Sequence, residues 1–565
     1  MVIYIMRVGS QIRLSRSRIL KTMEFPRTRV LILLVLASVS VLRYSSPHHH
    51  NNDILECLTE EFERSNLTTN VIFTPRNNAS YASLLQSQNL RPASTSPLKP
   101  ILIVTPYNES EIQAAVYCAK KLGLSIRTRS GGHDYEGLSY TSRTPFIIVD
   151  MRNLRSIKVD MLEKTAWVQT GATIGQLCHA VAKKSKTLAF PAGVCPTVGV
   201  GGQISGGGYG MLSRKYGLAS DHIIDAIVID ADSRILDRGS MGEDLFWAIR
   251  GGGGASFAII VAFKVTLTVV PNTVTVLTVT RTSEQNATRL VHRWQYISHK
   301  TDENLLLRVS MNSANPTAAN TSDQNRTIKA VFTALYLGRI NSLLPLMQRE
   351  FPELGLVKQD CTEMTWIESV LYFANLGNQS VDVLLSRDPL WPFTPSYYKG
   401  KSDFVTKPIP VTALERIWTF LILHEEDENR GALEFSPYGG ALGNISESET
   451  PFPHRAGNIF MIRYGVTWNR EGKAELEKHL SWIRRLYRYM ARHVTELPRA
   501  AYFNYKDLDI GINITEGNNT TSYRQAMVWG TKYFKNNFDR LVSVKTRVDP
   551  SNFFENEQSI PPLKA

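Results

Sequence analysis

Two glycine-rich stretches constrain this chain more than any other part of it: Arg129 to Tyr140, reading RSGGHDYEGLSY, and Phe190 to Gly210, reading FPAGVCPTVGVGGQISGGGYG. Each sets one reactive side chain, His133 in the first and Cys195 in the second, among residues too small to hide it. Glycine tolerates positive φ and lets backbone come close to a ligand. A tight turn alone needs far fewer glycines, so this density implies loops shaped around a large, flat bound group. No glycine cluster fits G-x-G-x-x-G, which disfavours a dinucleotide-binding turn. Gly400, Lys401 and Ser402 mimic the end of a phosphate loop, but Pro395 stands where its first glycine is required.

The chain has 565 residues, more than a single hydrophobic core supports, so about two to four domains or one large lobed enzyme is expected. Its net charge of +13 comes from Lys and Arg scattered without a run or an aromatic-basic ladder. That argues against nucleic acid and leaves a solubilising surface, or an acidic cell-wall polysaccharide such as pectin as a partner. Arg27 to Leu42, RTRVLILLVLASVSVL, has a basic flank and an apolar run too short to span a bilayer comfortably, then small residues suited to cleavage. Residues 1–45 are therefore expected to hold a signal peptide, with an uncleaved anchor as the alternative. The basic stretch before Met23 reads as an N-terminal gene-model extension. No stable membrane span is expected after cleavage.

Eleven positions fit the N-glycosylation pattern: Asn66, Asn78, Asn108, Asn286, Asn320, Asn325, Asn378, Asn444, Asn513, Asn518 and Asn519. Behind a signal peptide they fit a secreted protein of the apoplast or cell wall, with the vacuole as alternative. His48 to His50 beside Asn51 and Asn52 read as a solvated spacer, so no metal site is expected. Five cysteines leave an odd one.

Along the chain, residues 101–104 read as a strand, and Asn108 with Glu111 is a variant of a helix-starting cap. Ile112, Ala115, Val116, Ala119 and Leu122 then fall on one helical face. Gly123 stops that helix and Leu124 to Arg129 is a strand, which puts His133 just past a strand end. Further strands are expected at Phe146 to Asp150 and Thr165 to Thr170, and a helix at Thr173 to Lys184. A hairpin follows at Ala226 to Asp230 and Arg234 to Asp237, a short helix at Leu245 to Ile249, and one long strand at Phe257 to Val270. Beyond Pro271 the pattern becomes alternating strands, such as Val274 to Thr280 and Ala330 to Leu337, mixed with amphipathic helices.

The first glycine stretch resembles the covalent flavin loop of the berberine bridge enzyme-like oxidases, in the p-cresol methylhydroxylase and vanillyl alcohol oxidase superfamily, and the second resembles their cysteine loop. The likeness runs from about Asp53 to Pro562, with YFNYKDLDIG at Tyr502 and VDPSNFFENEQSIPP at Val548 matching the family's C-terminal segment. It implies an α+β fold: a two-lobed FAD-binding domain of the p-cresol methylhydroxylase type (53–271), and a substrate domain with an antiparallel sheet backed by helices (272–490). A C-terminal segment (491–565) returns to the FAD domain. It also implies FAD attached twice, through His133 to the 8α methyl and Cys195 to ring carbon six, with Gly131, Gly132, Gly137, Gly199, Gly201, Gly202, Tyr209 and Asn552 around it. The resemblance pairs Cys57 with Cys118 and leaves Cys178 and Cys361 as buried thiols.

A flavin accepts hydride itself, so the protein must supply position and a base. By resemblance Tyr505 is that base, with Tyr502 beside it, Asn504 positioning it and Tyr209 facing substrate or serving only the fold. A tyrosine of ordinary pKa ~10 needs a cationic neighbour to act at neutral pH. Relatives often carry a lysine and then a glutamine or glutamate two residues on. Here those places hold Met461 and Arg463, which share a strand face, so Arg463 is expected to supply the charge. Gly251 to Gly254 is expected to let backbone approach FAD, or to be a linker. Gln203 stands where relatives often have histidine. Val198 occupies a place where oxygen-reactive members tend to have valine and poorly reactive ones leucine, which marks it as an oxygen gate. The expected activity is oxidation of an alcohol, a carbohydrate hemiacetal or a phenolic allylic alcohol, with oxygen reduced to peroxide. A benzylisoquinoline alkaloid oxidase and a non-catalytic cell-wall glycoprotein are the alternatives.

Overall fold

The computed structural model describes residues 47–76, 78–90, 98–314, 326–387, 395–422, 430–514 and 522–563. The expected signal peptide and the sequons at Asn320, Asn325, Asn518 and Asn519 lie outside the described residues, as do the side chains of Asn78 and of His48 to His50.

Helix Glu109–Lys121 forms as its pattern predicts. The Asn108 side chain accepts from Glu111 N at 3.1 Å, and Glu111 Oε2 accepts in turn from Tyr107 N, closing the helix entry from both sides. Ile112, Ala115, Val116 and Ala119 are fully buried, and Gly123, at φ 67°, ends the helix. The Cys57–Cys118 disulfide ties it to helix Pro47–Arg64.

In the first part of the chain lie β1 (Ile72–Phe73), β2 (Asn89–Leu90), β3 (Ile103–Val104), β4 (Ser125–Arg129), β5 (Phe146–Asp150), β6 (Ile157–Asp160), β7 (Thr165–Gln169), β8 (Leu188–Ala189), β9 (Ile223–Ile229), β10 (Ile235–Leu236), β11 (Ile259–Thr266) and β12 (Thr268–Val269). One sheet has the order β1-β3-β5-β4, with β5 parallel to both β3 and β4. A second, antiparallel, has the order β10-β9-β11-β7-β6. β5 is buried along its whole length, as a continuous apolar run covered on both faces should be. β9 and β10 make the expected hairpin. The stretch Phe257 to Val270 is not one strand: β11 pairs with β7 and β9, while β12 leaves that sheet to pair with β8.

The second part adds β13 (Val274–Thr282), β14 (Leu305–Ala314), β15 (Thr327–Tyr336), β16 (Cys361–Met364), β17 (Ser396–Val405), β18 (Arg430–Pro437) and β19 (Phe460–Trp468). These form a sheet of order β16-β13-β15-β14-β18-β19-β17-β2. Its edge strand β2 is contributed from the 53–271 stretch and runs parallel to β17. Helices Ala287–Ile297, Val411–Ile422 and Lys473–Met490 bury one face of this sheet against Val309, Leu433 and Ile462. On the other face Val274, Val276, Leu306 and Leu335 pack into the core of the first lobe with Trp366 and Phe373, while Arg308, Glu434 and Arg463 carry charge on the central strands. Helices Tyr523–Phe534 and Asn537–Val548 share a core with Phe246, Trp247 and Ile260, which brings the chain end back beside the first sheets.

Of the described sequons, Asn66, Asn286, Asn378 and Asn444 are exposed. Asn513 corrects the sequence pattern. It is buried, its Nδ2 donates to Asn556 O and Ser559 O, and its Oδ1 accepts from Trp529 Nε1. Those bonds occupy the nitrogen that a glycan would need.

Candidate active site

The histidine loop leaves β4 at Arg129, whose guanidinium is held by the buried carboxylate of Asp150 across the strand pair, with Nε–Oδ2 at 2.8 Å. Asp134 Oδ1 then accepts from Glu136 N and Leu138 N, curling the loop on itself. Gly132 and Gly137 sit at positive φ, 70° and 75°, where only glycine is unstrained. Asn89 of β2 donates to His133 O at 2.8 Å, and Arg387 donates to Ser130 O at 3.0 Å, so both lobes grip the loop.

The cysteine loop is zipped to the start of helix Ile174–Lys184: Ile174 N donates to Val198 O and Gly175 N to Pro196 O. It backs directly onto the histidine loop at Gly131 and Gly199. A Cβ on Gly131 would stand 2.2 Å from Gly199 N, and one on Gly199 would stand 2.0 Å from Ser130 Oγ. Gly201 is nearly as confined, 3.0 Å from Thr170 Cβ, whereas a Cβ on Gly202 meets nothing within 4 Å. These contacts bring the two reactive atoms onto one hydroxyl. Thr197 Oγ1 lies 3.1 Å from His133 Nε2 and 3.6 Å from Cys195 Sγ. Burial lowers the His133 pKa to about 4, against a raising contribution from Thr197 and with a further lowering by Arg387, so the imidazole is neutral. Burial raises that of Cys195, while the Thr197 hydroxyl opposes the rise. Thr197 and Arg387 carry no sequence signal that marks them beforehand.

The C-terminal segment locks the second loop from behind. The Tyr502 hydroxyl accepts from Gly208 N at 2.8 Å and Tyr209 N at 3.2 Å, and Asn504 Nδ2 donates to Gln203 O. Tyr502 is buried, so it braces the GGGYG turn. Tyr209 stacks on Tyr438 and donates its hydroxyl to Pro437 O at 2.7 Å. Tyr505 is half-buried, stacked on Tyr135 with ring centroids 5.4 Å apart; Tyr135 in turn meets Tyr398 of β17 edge-on. A Cβ on Gly253 would meet the Phe503 ring of the C-terminal segment and one on Gly254 would meet Ile260, so both glycines are closely packed by the protein itself. Asn552 lies after helix Asn537–Val548 at φ 56°, and its Oδ1 is buried without a hydrogen-bond partner among the described residues. Val198 is half-buried against the core of the first lobe.

Arg463 lies in a charged row beside these tyrosines, donating to Glu434 Oε2 and Tyr398 OH, each at 3.4 Å. The expectation that Arg463 brings Tyr505 down is corrected. Burial pushes the Tyr505 phenol above its ordinary value, Glu434 pushes it further, and Arg463 offsets only part. Met461 is buried in the apolar cluster that also holds Tyr502. Lys399 and Lys401 of β17 are buried against Asp507, each at 2.7 Å; Lys399 also meets Glu136 of the histidine loop, and Lys401 meets Asp509. This network fastens the first loop, the large sheet and the C-terminal segment together.

The residues present fit a flavin. A neutral imidazole and a thiol converge on one point, Gly202 opens onto free space, and Gln203 Oε1 is buried without a partner among the described residues. Residues 100–239 match a family model described as FAD binding domain, and residues 501–561 match one described as berberine and berberine like. Over 539 residues the chain is 49% identical to berberine bridge enzyme-like 18 of Arabidopsis thaliana, covering 94% of this chain and 97% of that one. It is 48% identical over 535 residues to tetrahydroberberine oxidase of Berberis wilsoniae, covering 94% and 98%. The solved structure of berberine bridge enzyme-like 28 from Arabidopsis thaliana superposes with a TM-score of 0.82 at 47% identity, over 91% of this chain and all of the other. The grass pollen allergen Phl p 4, with glucose dehydrogenase activity, superposes equally well at 42% identity over the same shares.

Proposed function

The chain belongs to the berberine bridge enzyme-like family of FAD-binding oxidoreductases, and from that premise we propose a secreted oxidase that takes hydride from the carbon of an alcohol. The substrate is a carbohydrate hemiacetal or an allylic phenolic alcohol, and oxygen is the electron acceptor. The observation that carries the reading is the meeting of His133 Nε2 and Cys195 Sγ at the Thr197 hydroxyl, with Tyr135, two residues after His133, packed against Tyr398 and Tyr505. His133 and Cys195 would hold FAD covalently, one from each loop. When bound, the isoalloxazine supplies the hydride acceptor.

The chain's own residues orient the alcohol and handle its proton. Tyr505 enters the reaction as a neutral phenol, because burial and Glu434 both disfavour the phenolate. The neutral phenol can only donate a hydrogen bond to the substrate oxygen; Tyr505 takes the substrate proton as a base once its own has been lost to solvent, in the fraction that carries the phenolate. Arg463 favours the charge that passes through Tyr505 at that moment. Tyr502 and Tyr209 keep the GGGYG turn in place. Val198, three positions after Cys195, would serve as the oxygen gate, because one more methylene in a packed wall is enough to close a narrow passage. An isoleucine-to-valine variant of Phl p 4 is a glucose oxidase where the wild type is a glucose dehydrogenase, which supports a valine-gated oxidase here.

The polar sheet face, with Arg308, Glu434 and Arg463 close together, favours a hydroxyl-rich or phenolic substrate. The likeness to tetrahydroberberine oxidase favours the second reading, an alkaloid amine. A panel of oligosaccharides, monolignols and benzylisoquinolines scored by peroxide release separates them. Peroxide from an alcohol and none from the alkaloids is expected, and turnover of alkaloids alone would replace the first reading with the second.

A further inference from the structure

We propose that the active site recognises a carboxylate on its ligand, through the arginine–glutamate–arginine row of Arg308, Glu434 and Arg463; the inference rests on the oxidase reading of the same site. The three residues stand on adjacent strands. Glu434 of β18 is directly opposite Arg463 of β19, and Ser310 of β14, two residues from Arg308, is directly opposite Glu434. Residues two apart on a strand share a face, so the row lies on the face opposite Val309, Leu433 and Ile462, beside helix Trp366–Phe373.

The row is under-committed. Arg463 Nη2 reaches Glu434 Oε2 at 3.4 Å and Arg308 Nη1 reaches the same oxygen at 3.7 Å. Arg463 has one further contact, Tyr398 OH at 3.4 Å, and neither guanidinium donates another side-chain hydrogen bond among the described residues. Elsewhere in this fold, arginine–carboxylate pairs close tightly on two oxygens: Arg455 on Asp221 at 2.9 and 2.6 Å, and Arg499 on Asp403 at 2.7 and 2.6 Å. Those are the lengths of charge-assisted forks that hold a fold together. The looser row keeps 15–29% of each side chain accessible, and the Arg308 guanidinium also lies over the Phe373 ring, 5.8 Å from its centroid. Two positive charges face one negative one, and the Tyr135 and Tyr505 phenols, pushed above their ordinary value by burial, add none.

A planar carboxylate suits the guanidinium fork and balances the surplus charge, whereas a protonated amine meets repulsion. Burial works to raise the Glu434 pKa, but Arg463 and Arg308 hold it low, so its own carboxylate stays charged and competes for the same arginines. The ligand class is then a carboxylate carried on a sugar acid, whose hemiacetal carbon still has a hydride to give, or on a phenylpropanoid acid, which lacks the allylic alcohol and would bind without being oxidised.

Calorimetric titration of the holoenzyme with two matched pairs tests this: glucuronate against glucose, and 4-hydroxycinnamate against 4-hydroxycinnamyl alcohol. One acid should bind about tenfold or more tightly than its neutral partner, the scale of a hydrogen bond to a charged group, and the pair that discriminates identifies the source. Arg463→Gln should erase the preference and Arg463→Lys should keep part of it, with covalent flavin content reporting that both variants fold. Glu434→Gln should tighten acid binding by removing the competitor. Equal binding of acid and neutral partner in both pairs, no binding by either acid, or weaker acid binding in Glu434→Gln would each overturn the inference. Calorimetry needs no turnover, so acid preference without peroxide release defeats only the oxidase reading. Peroxide release without acid preference defeats only this one.

Discussion

Gly131→Ala should part the two loops. Its Cβ would lie 2.2 Å from Gly199 N, 2.9 Å from Gly199 Cα and 2.9 Å from Thr197 O. All three are backbone atoms, so no side chain can swing aside to make room. Overpacking costs about 1–3 kcal/mol, and a clash wholly between backbones belongs at the upper end, about 3 kcal/mol. The strand of chain that must move carries Thr197, whose hydroxyl sits between His133 Nε2 and Cys195 Sγ, so the attachment geometry should loosen with the fold. The control is Gly202→Ala, whose Cβ meets nothing within 4 Å and so leaves the protein's own packing intact. Two assays read the pair: the urea midpoint, and the fraction of flavin retained after acid precipitation. Gly131→Ala should lower both, while Gly202→Ala should keep the midpoint and lose flavin. A wild-type midpoint with full flavin in Gly131→Ala would refute the reasoning that the two loops are held apart by nothing but missing side chains.

Asp507→Asn removes the shared partner of Lys399 and Lys401, both almost wholly buried, and breaking such a pair costs about 3–5 kcal/mol; a loss under about 1 kcal/mol in urea unfolding would contradict this. Burial works to raise the Asp507 and Asp509 pKa values, but the lysines, and Arg484 at Asp509, keep them below the ordinary range. Their stabilisation is therefore complete above pH ~4 and lost as the pH falls through the lower folded values. Burial works to lower Lys399, but Asp507 and Glu136 raise it above its ordinary value, so its share is complete below pH ~10 and lost as the pH rises through the folded value. Tyr505→Phe should slow flavin reduction by ~10²-fold or more with flavin content unchanged. Because the wild-type phenol is held high, its reduction rate should keep climbing past pH ~10; an early plateau would move the role elsewhere. Val198→Leu should slow reoxidation by oxygen and spare anaerobic reduction, and equal reoxidation rates in stopped flow would remove the gate.

What the sequence made legible is what local chemistry controls. The Asn108 cap, the buried face from Ile112 to Ala119 and the β9–β10 hairpin all follow from short-range pattern. The pairing of Cys57 with Cys118 came from resemblance, and the fold brings those cysteines together. What was hidden depends on register between distant strands. Nothing near Arg463 in the chain announces that Glu434 will face it, yet that neighbour reverses the expected effect on Tyr505. Gly400, Lys401 and Ser402 imitate the end of a phosphate loop, and only the fold shows Asp507 against Lys401. Asn513 carries a surface pattern but is spent on Asn556, Ser559 and Trp529. At Gly253 the sequence cannot say whose atoms pack closely; the fold puts the Phe503 ring there.

The central claim is that two loops place two nucleophiles on one cofactor edge, and mass spectrometry of the denatured protein tests it most directly. The account predicts that the wild type keeps the mass of FAD in denaturant. It predicts that His133→Ala and Cys195→Ala each retain one attachment, and that only the double variant releases FAD. Free flavin from the denatured wild type, or full release from either single variant, would contradict it.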